Sequence, residues 1–196
     1  MKNYLNKQSM ALRQGAIRAM FDKAAGMSDV INLGIGEPDM TTPAIIIEAG
    51  MKALMAGHTH YTPNAGILEL REAVAENLSN QGLKYDPRTE IMITTGGMGG
   101  LSLSLMVMLE PGDEVLIQDP QWLNYFSQVR FFGGVPVPVP VKEEDGFAIT
   151  ADAIAARITD KTKILMLNSP NNPTGAVLDL DELHRIAELA QRHDLI

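Results

Sequence analysis

Apolar residues along the chain follow two rhythms. Short continuous runs, Ile91-Met92-Ile93, Val115-Leu116-Ile117 and Ile164-Leu165-Met166-Leu167, are too brief for buried helices and predict strands near 91–94, 115–118 and 164–167, buried on both faces. Elsewhere the spacing widens to three or four. Leu12, Ala16, Met20 and Ala24 share one helical face over 9–25, with Ser9 as N-cap and Gly26 as stop. Thr42-Pro43 reads as an N-cap and first-turn proline, opening a helix through Ile46, Met51 and Leu54 that ends at Gly57. Leu70, Val74 and Leu78 face inward on a helix over 68–80 that Gly82 ends. Leu101, Leu105 and Met108 mark another helix, and residues 151–158 a short one. Asp179-Leu180-Asp181-Glu182 has the form of a capping box for a last helix with Leu183, Ala187 and Ala190 inside. Val135-Pro136-Val137-Pro138-Val139-Pro140 alternates strictly, and three missing N–H donors confine it to a sheet edge. Strands alternating with helices predict an α/β fold, a mostly parallel sheet with helices on both faces.

Composition narrows the partners. Sixteen basic against 24 acidic residues give a net charge of −8 with no basic run, which argues against nucleic acid and anionic membranes. The chain has no cysteine, so disulfides and thiolate metal sites are excluded. His58 and His60 alternate in a loop without nearby carboxylates, and no metal is assigned. No signal-peptide core follows Met1, and no apolar run nears the roughly 18 residues of a membrane span, so a cytoplasmic protein is expected.

Chemistry concentrates where the strand runs end. The loop Asn168-Ser169-Pro170-Asn171-Asn172-Pro173-Thr174-Gly175 lies at a strand's carboxyl end, the edge where open α/β sheets bind ligands. Its prolines fix the backbone, and its asparagines carry amides that both donate and accept. A plain turn is the alternative reading of the same residues. Thr95-Gly96-Gly97-Met98-Gly99-Gly100 sits between strand and helix, where first-turn N–H groups favour an anion. Trp122, the only tryptophan, follows the second strand. It is either a core anchor or a ring offered to a ligand, while Tyr125 reads as packing.

These segments, with Gly34-Ile35-Gly36-Glu37-Pro38-Asp39 and Tyr61-Thr62-Pro63-Asn64-Ala65-Gly66, resemble the fold-type I, class I and II aminotransferases that use pyridoxal 5′-phosphate, of the aspartate and aromatic type. The resemblance implies that residues 46–196 form the N-terminal part of a three-layer large domain, and residues 1–45 an arm and part of a small domain. It implies that Asn172 bonds the cofactor's phenolic oxygen, that the Gly97 and Met98 amides hold its phosphate, and that Trp122 stacks on its ring. Tyr61 would reach a neighbouring subunit's cofactor phosphate, and the Gly36 N–H would meet the substrate carboxylate. The implied substrates are an amino acid and a 2-oxo acid, and the implied assembly is a homodimer. Two departures stand out. Met98 replaces a frequent polar residue and Gly99-Gly100 a small one such as alanine, so weaker phosphate binding is expected.

A typical member continues with an Asp for the pyridine nitrogen, a lysine preceded by serine that holds the cofactor covalently, and an arginine for the substrate. None of the eight lysines here has a serine two or three residues before it. No catalytic residue is therefore assigned. The chain is expected to be an N-terminal half, not competent alone, whose strand at 91–94 lacks its family neighbours. The alternatives are a non-catalytic remnant or interaction module, and another fold-type I enzyme such as a carbon–sulfur lyase. A nucleotide binder would need the Gly-Lys-Ser or Gly-Lys-Thr ending that the glycine loop lacks.

Overall fold

A computed structural model describes Tyr4, residues 9–10, Met20, residues 23–31, Gly34, Gly36 and residues 38–196. In chain order its elements are α1 (Ala44–Met55), α2 (Leu68–Ser79), α3 (Gly96–Met108), β1 (Glu114–Asp119), α4 (Leu123–Phe131), β2 (Val135–Pro140), a 3₁₀ turn (Glu143–Asp145), α5 (Ala151–Ala155), β3 (Thr162–Met166) and α6 (Leu180–Arg192). Two compact units divide the chain, one including Leu101–Ile196 and the other within Ala16–Gly100.

The first unit is a parallel sheet in the order β2-β1-β3. Because β-strand side chains alternate, β1 feeds two cores. Val115 and Ile117 pack with Leu105, Leu109, Val129, Ile164 and Met166 beneath α3 and α4. Leu116 packs with Val139, Ile154, Ile186 and Leu189 beneath α5 and α6. The layers are helix, sheet, helix, as the α/β reading requires. β2 takes the edge, and the valines at its start and just past its end show how. Val135 and Val141 donate to the Asp113 and Asp119 carbonyls at 2.8 and 2.9 Å, so the prolines' missing donors fall on the open side. The far side of β3 is also engaged: Leu165 donates to the Ile196 carbonyl at 2.8 Å, and Ile196 to that of Lys163 at 3.0 Å.

Several expectations need correction. Residues 91–94 form no strand; among the described residues no strand pairs with them, and their backbone is held by Ile93 N–H to the Ala65 carbonyl at 3.0 Å and by Gly96 N–H to the Thr94 carbonyl at 2.9 Å. Thr42 does not cap α1. Pro43 holds the N-cap position with ψ 140° and no side-chain cap, and its carbonyl takes the first bonds, from Ile46 and Ile47. On α2 Leu70 is exposed and the buried residue is Arg71. On α6 the buried pair is Ile186 and Leu189, with Leu183 exposed. Asp179 caps that helix through the Asp181 and Glu182 N–H groups, but Glu182 does not reach back. Its carboxylate accepts from Ala151 N–H at 2.8 Å and pairs with Arg185, joining α6 to α5. Of the expected helix over 9–25, residues 9–10, 20 and 23–24 are helical, residue 25 already lies in the turn that follows, and the others lie outside the described residues.

Candidate functional site

Parallel neighbours β1 and β3 send their following loops from the same carboxyl edge. The β1 loop carries Gln121 and Trp122, the β3 loop Asn171 and Asn172. Trp122 is half-buried, with its ring edge-on to Tyr125 at 5.2 Å and 85°. Tyr125 packs against the core under α4. The Trp122 N–H donates to Gln121 Oε1 at 3.1 Å. Asn172 has an exposed side chain, while its N–H donates to Asn168 Oδ1 at 3.0 Å.

Beneath Asn172 the turn is closed by Asn171, which is 4% exposed. Asn171 Oδ1 accepts from the Thr174 N–H at 3.2 Å and the Thr174 hydroxyl at 2.9 Å. Its backbone is tied to Ala176 and Gly175, at 2.8 Å each. These bonds fix which amide atom is oxygen, and they leave Asn171 Nδ2 buried without an acceptor. Gln121 Nε2 is in the same state. Both loops thus hold a donor in excess, which costs about 1–3 kcal/mol each if nothing accepts. By sequence the asparagine amides can both donate and accept, but nothing in the sequence singles out Asn171 or Gln121, whose burial arises only in the fold.

The other candidates belong to the second unit. Gly97 and Met98 stand on the first turn of α3, where backbone N–H groups outnumber intrahelical acceptors. A Cβ built on Gly97 would meet nothing within 4 Å, so the space beside its Cα is uncrowded. The Met98 thioether adds no donor. Tyr61 and Gly36 are exposed, and the Glu37 beside Gly36 lies outside the described residues. The Tyr61 loop ends at Gly66, where a Cβ would lie 2.7 Å from Ile93 Cγ1 and φ is +91°.

The class I and II aminotransferase family matches residues 28–196. The chain belongs to that family. It is 49% identical over 181 residues to aspartate aminotransferase of Pyrococcus abyssi and 48% over 181 to aromatic-amino-acid aminotransferase 2 of Thermococcus litoralis; each alignment covers 92% of this chain and 46% of the relative. The solved aspartate aminotransferase from Thermus thermophilus with maleate superimposes with a TM-score of 0.92 at 41% identity, over 100% of this chain and 52% of that one. The chain spans about half the length of the curated relatives it matches.

For an aminotransferase chain the position of its lysines matters. Lys163 lies near the start of β3, at the amino edge, where its ammonium meets Asp113 Oδ2 at 2.8 Å. That ammonium, aided by the Glu110 N–H, holds the Asp113 carboxyl below its ordinary range. Lys142 pairs with Glu144 at 3.1 Å in the exposed turn after β2. Neither stands in the loops that carry Trp122 and Asn172. Among the described residues no helix is long and apolar enough to cross a membrane.

Proposed function

We propose that this chain supplies binding elements of a pyridoxal-phosphate enzyme that moves an amino group between an amino acid and a 2-oxo acid. The observation that carries this reading is the family match over residues 28–196, which includes the asparagine loop beside the tryptophan loop on one sheet edge. Family members named for aspartate and aromatic substrates make such amino acids the first to test.

When bound, pyridoxal phosphate supplies an electron sink for a bond cleaved at the substrate's α-carbon. The chain's own residues bind and orient. By the family resemblance, the Gly97 and Met98 N–H groups would take the phosphate, the Asn172 amide would bond the phenolic oxygen, and the Trp122 ring would stack on the pyridine. Gly36 N–H receives the substrate carboxylate. Tyr61 serves a second copy of the chain in a homodimer working in the cytoplasm. Without a serine-preceded lysine the 196 residues bind the cofactor non-covalently and do not transaminate.

The test is titration with pyridoxal phosphate, followed by quenching of Trp122, the only tryptophan, and then treatment with borohydride. Saturable quenching with no stoichiometric label on any one lysine is expected. No quenching, or one lysine labelled to completion, defeats the proposal.

A further inference from the structure

Arg71 is the one buried charged residue among those described, 9% exposed on α2. No carboxylate contacts it among the ion pairs of the described residues, although its charge, after the Arg88 N–H and Thr89 hydroxyl bonds, helps to hold the Asp86 carboxyl below its ordinary range. It is satisfied by three carbonyls. Nε donates to Gly66 at 3.2 Å, and Nη1 donates to Pro87 at 2.7 Å and Arg88 at 3.3 Å. Gly66 closes the loop that bears Tyr61. Pro87 and Arg88 belong to a turn that Asp86 holds through the Arg88 N–H at 2.8 Å and the Thr89 hydroxyl at 3.0 Å.

That turn leads directly into residues 91–95 and so into the first turn of α3. The circuit closes on itself, because Ile93 N–H returns to the Ala65 carbonyl at 3.0 Å and the Ile93 side chain fills the space that a Cβ on Gly66 would need. Arginine is the side chain suited to this place. Its planar fork reaches acceptors on separate segments at once, whereas a lysine ammonium concentrates its donors at one point.

We infer that Arg71 is a positioning residue, fixing the Tyr61 loop against the segment that delivers Gly97 and Met98. It acts on phosphate binding without touching phosphate. The inference rests on the cofactor reading above for what is bound, but the circuit itself stands on the hydrogen bonds.

The 196-residue chain, unsubstituted and as Arg71→Lys and Arg71→Met, should be titrated with pyridoxal phosphate and with pyridoxal, which lacks the phosphate. The ratio of the two affinities reports the phosphate's share alone. It is expected to fall roughly fivefold or more in both variants, with pyridoxal affinity unchanged. Amide exchange at Gly66 and Ile93 should quicken by about tenfold, while residues 115–117 of β1 keep their rates. An unchanged ratio in variants that remain folded overturns the inference. So does exchange that rises equally in both units, which would make Arg71 a general stabiliser, or exchange that does not rise at all. If the unsubstituted chain shows no preference for pyridoxal phosphate, the cofactor reading fails, and exchange at Gly66 and Ile93 still decides whether Arg71 ties the two segments.

Discussion

Gly97 and Gly134 show how far one hydrogen atom's worth of side chain decides. A Cβ at Gly134 would lie 2.9 Å from Leu109 Cδ1, 3.0 Å from Val129 Cγ1 and 3.3 Å from the Asp113 carbonyl. Leu109 and Val129 are core residues with no room to retreat, so Gly134→Ala should cost about 1–3 kcal/mol in urea unfolding. A Cβ at Gly97 meets nothing within 4 Å. Gly97→Ala should therefore leave stability unchanged or raise it by up to about 1 kcal/mol, as alanine does in helices. If the Gly97 amide holds phosphate, the same change should weaken pyridoxal phosphate binding several-fold. A variant that loses stability but keeps affinity would mean that Gly97 serves packing. The glycine run suggests an anion turn from local backbone physics alone, since it opens the helical period of α3 where first-turn N–H groups lack intrahelical acceptors. Arg71 could not be read in this way, because its three carbonyl partners come from residues 66, 87 and 88 and meet only in the folded chain.

At the scale of elements, β2 was legible in full because prolines impose a local rule, and it lies on the sheet's edge where that rule requires. Residues 91–94 carry as strong a strand pattern as β1 yet form none. Strand formation needs a partner, and composition does not say whether one is present. The face of α6 was misread for a related reason: apolar residues occupy adjacent rows of the helix, and contact with Leu116 and Ile154 selects Ile186 and Leu189. One ion pair between elements makes a pH prediction. Asp113, just before β1, pairs with Lys163 of β3, and its carboxyl titrates below its ordinary value of 3.8. A lowered folded-state value means that the bond's stabilisation is complete above the unfolded value and is lost as pH falls through the folded one. The unfolding free energies of the unsubstituted chain and Asp113→Asn should differ by a constant amount near neutrality and converge below about pH 4. A gap that persists at lower pH would show that the carboxylate charge contributes nothing.

For the molecule as a whole, the unsettled surface is apolar. α3 runs 13 residues without a charge, and a helix apolar all round belongs in an interior. Leu103, Met106 and Val107 are nevertheless exposed, as are Ile45, Ile46, Met51, Leu54 and Met55 of α1 in the other unit. Covering roughly 1,000 Å² of such surface at about 25 cal/mol per Å² favours association by tens of kcal/mol before entropy is subtracted. Opposing it is a net charge of −8 on each copy, a repulsion that salt screens over about 8 Å at physiological strength. The apolar term is short-ranged and survives that screening. Sedimentation velocity at micromolar concentration should therefore find dimers or larger species, with the associated fraction rising as salt is added. Leu54→Glu and Met106→Glu place a charge on α1 and α3 respectively, at positions already exposed, so neither disturbs a core. Whichever dissolves the associated species identifies the helix that is covered. A monomer at every salt concentration, with no apolar dye bound, would show that these side chains are tolerated in water and that the assembly expected of a homodimeric aminotransferase does not begin in this part of the chain.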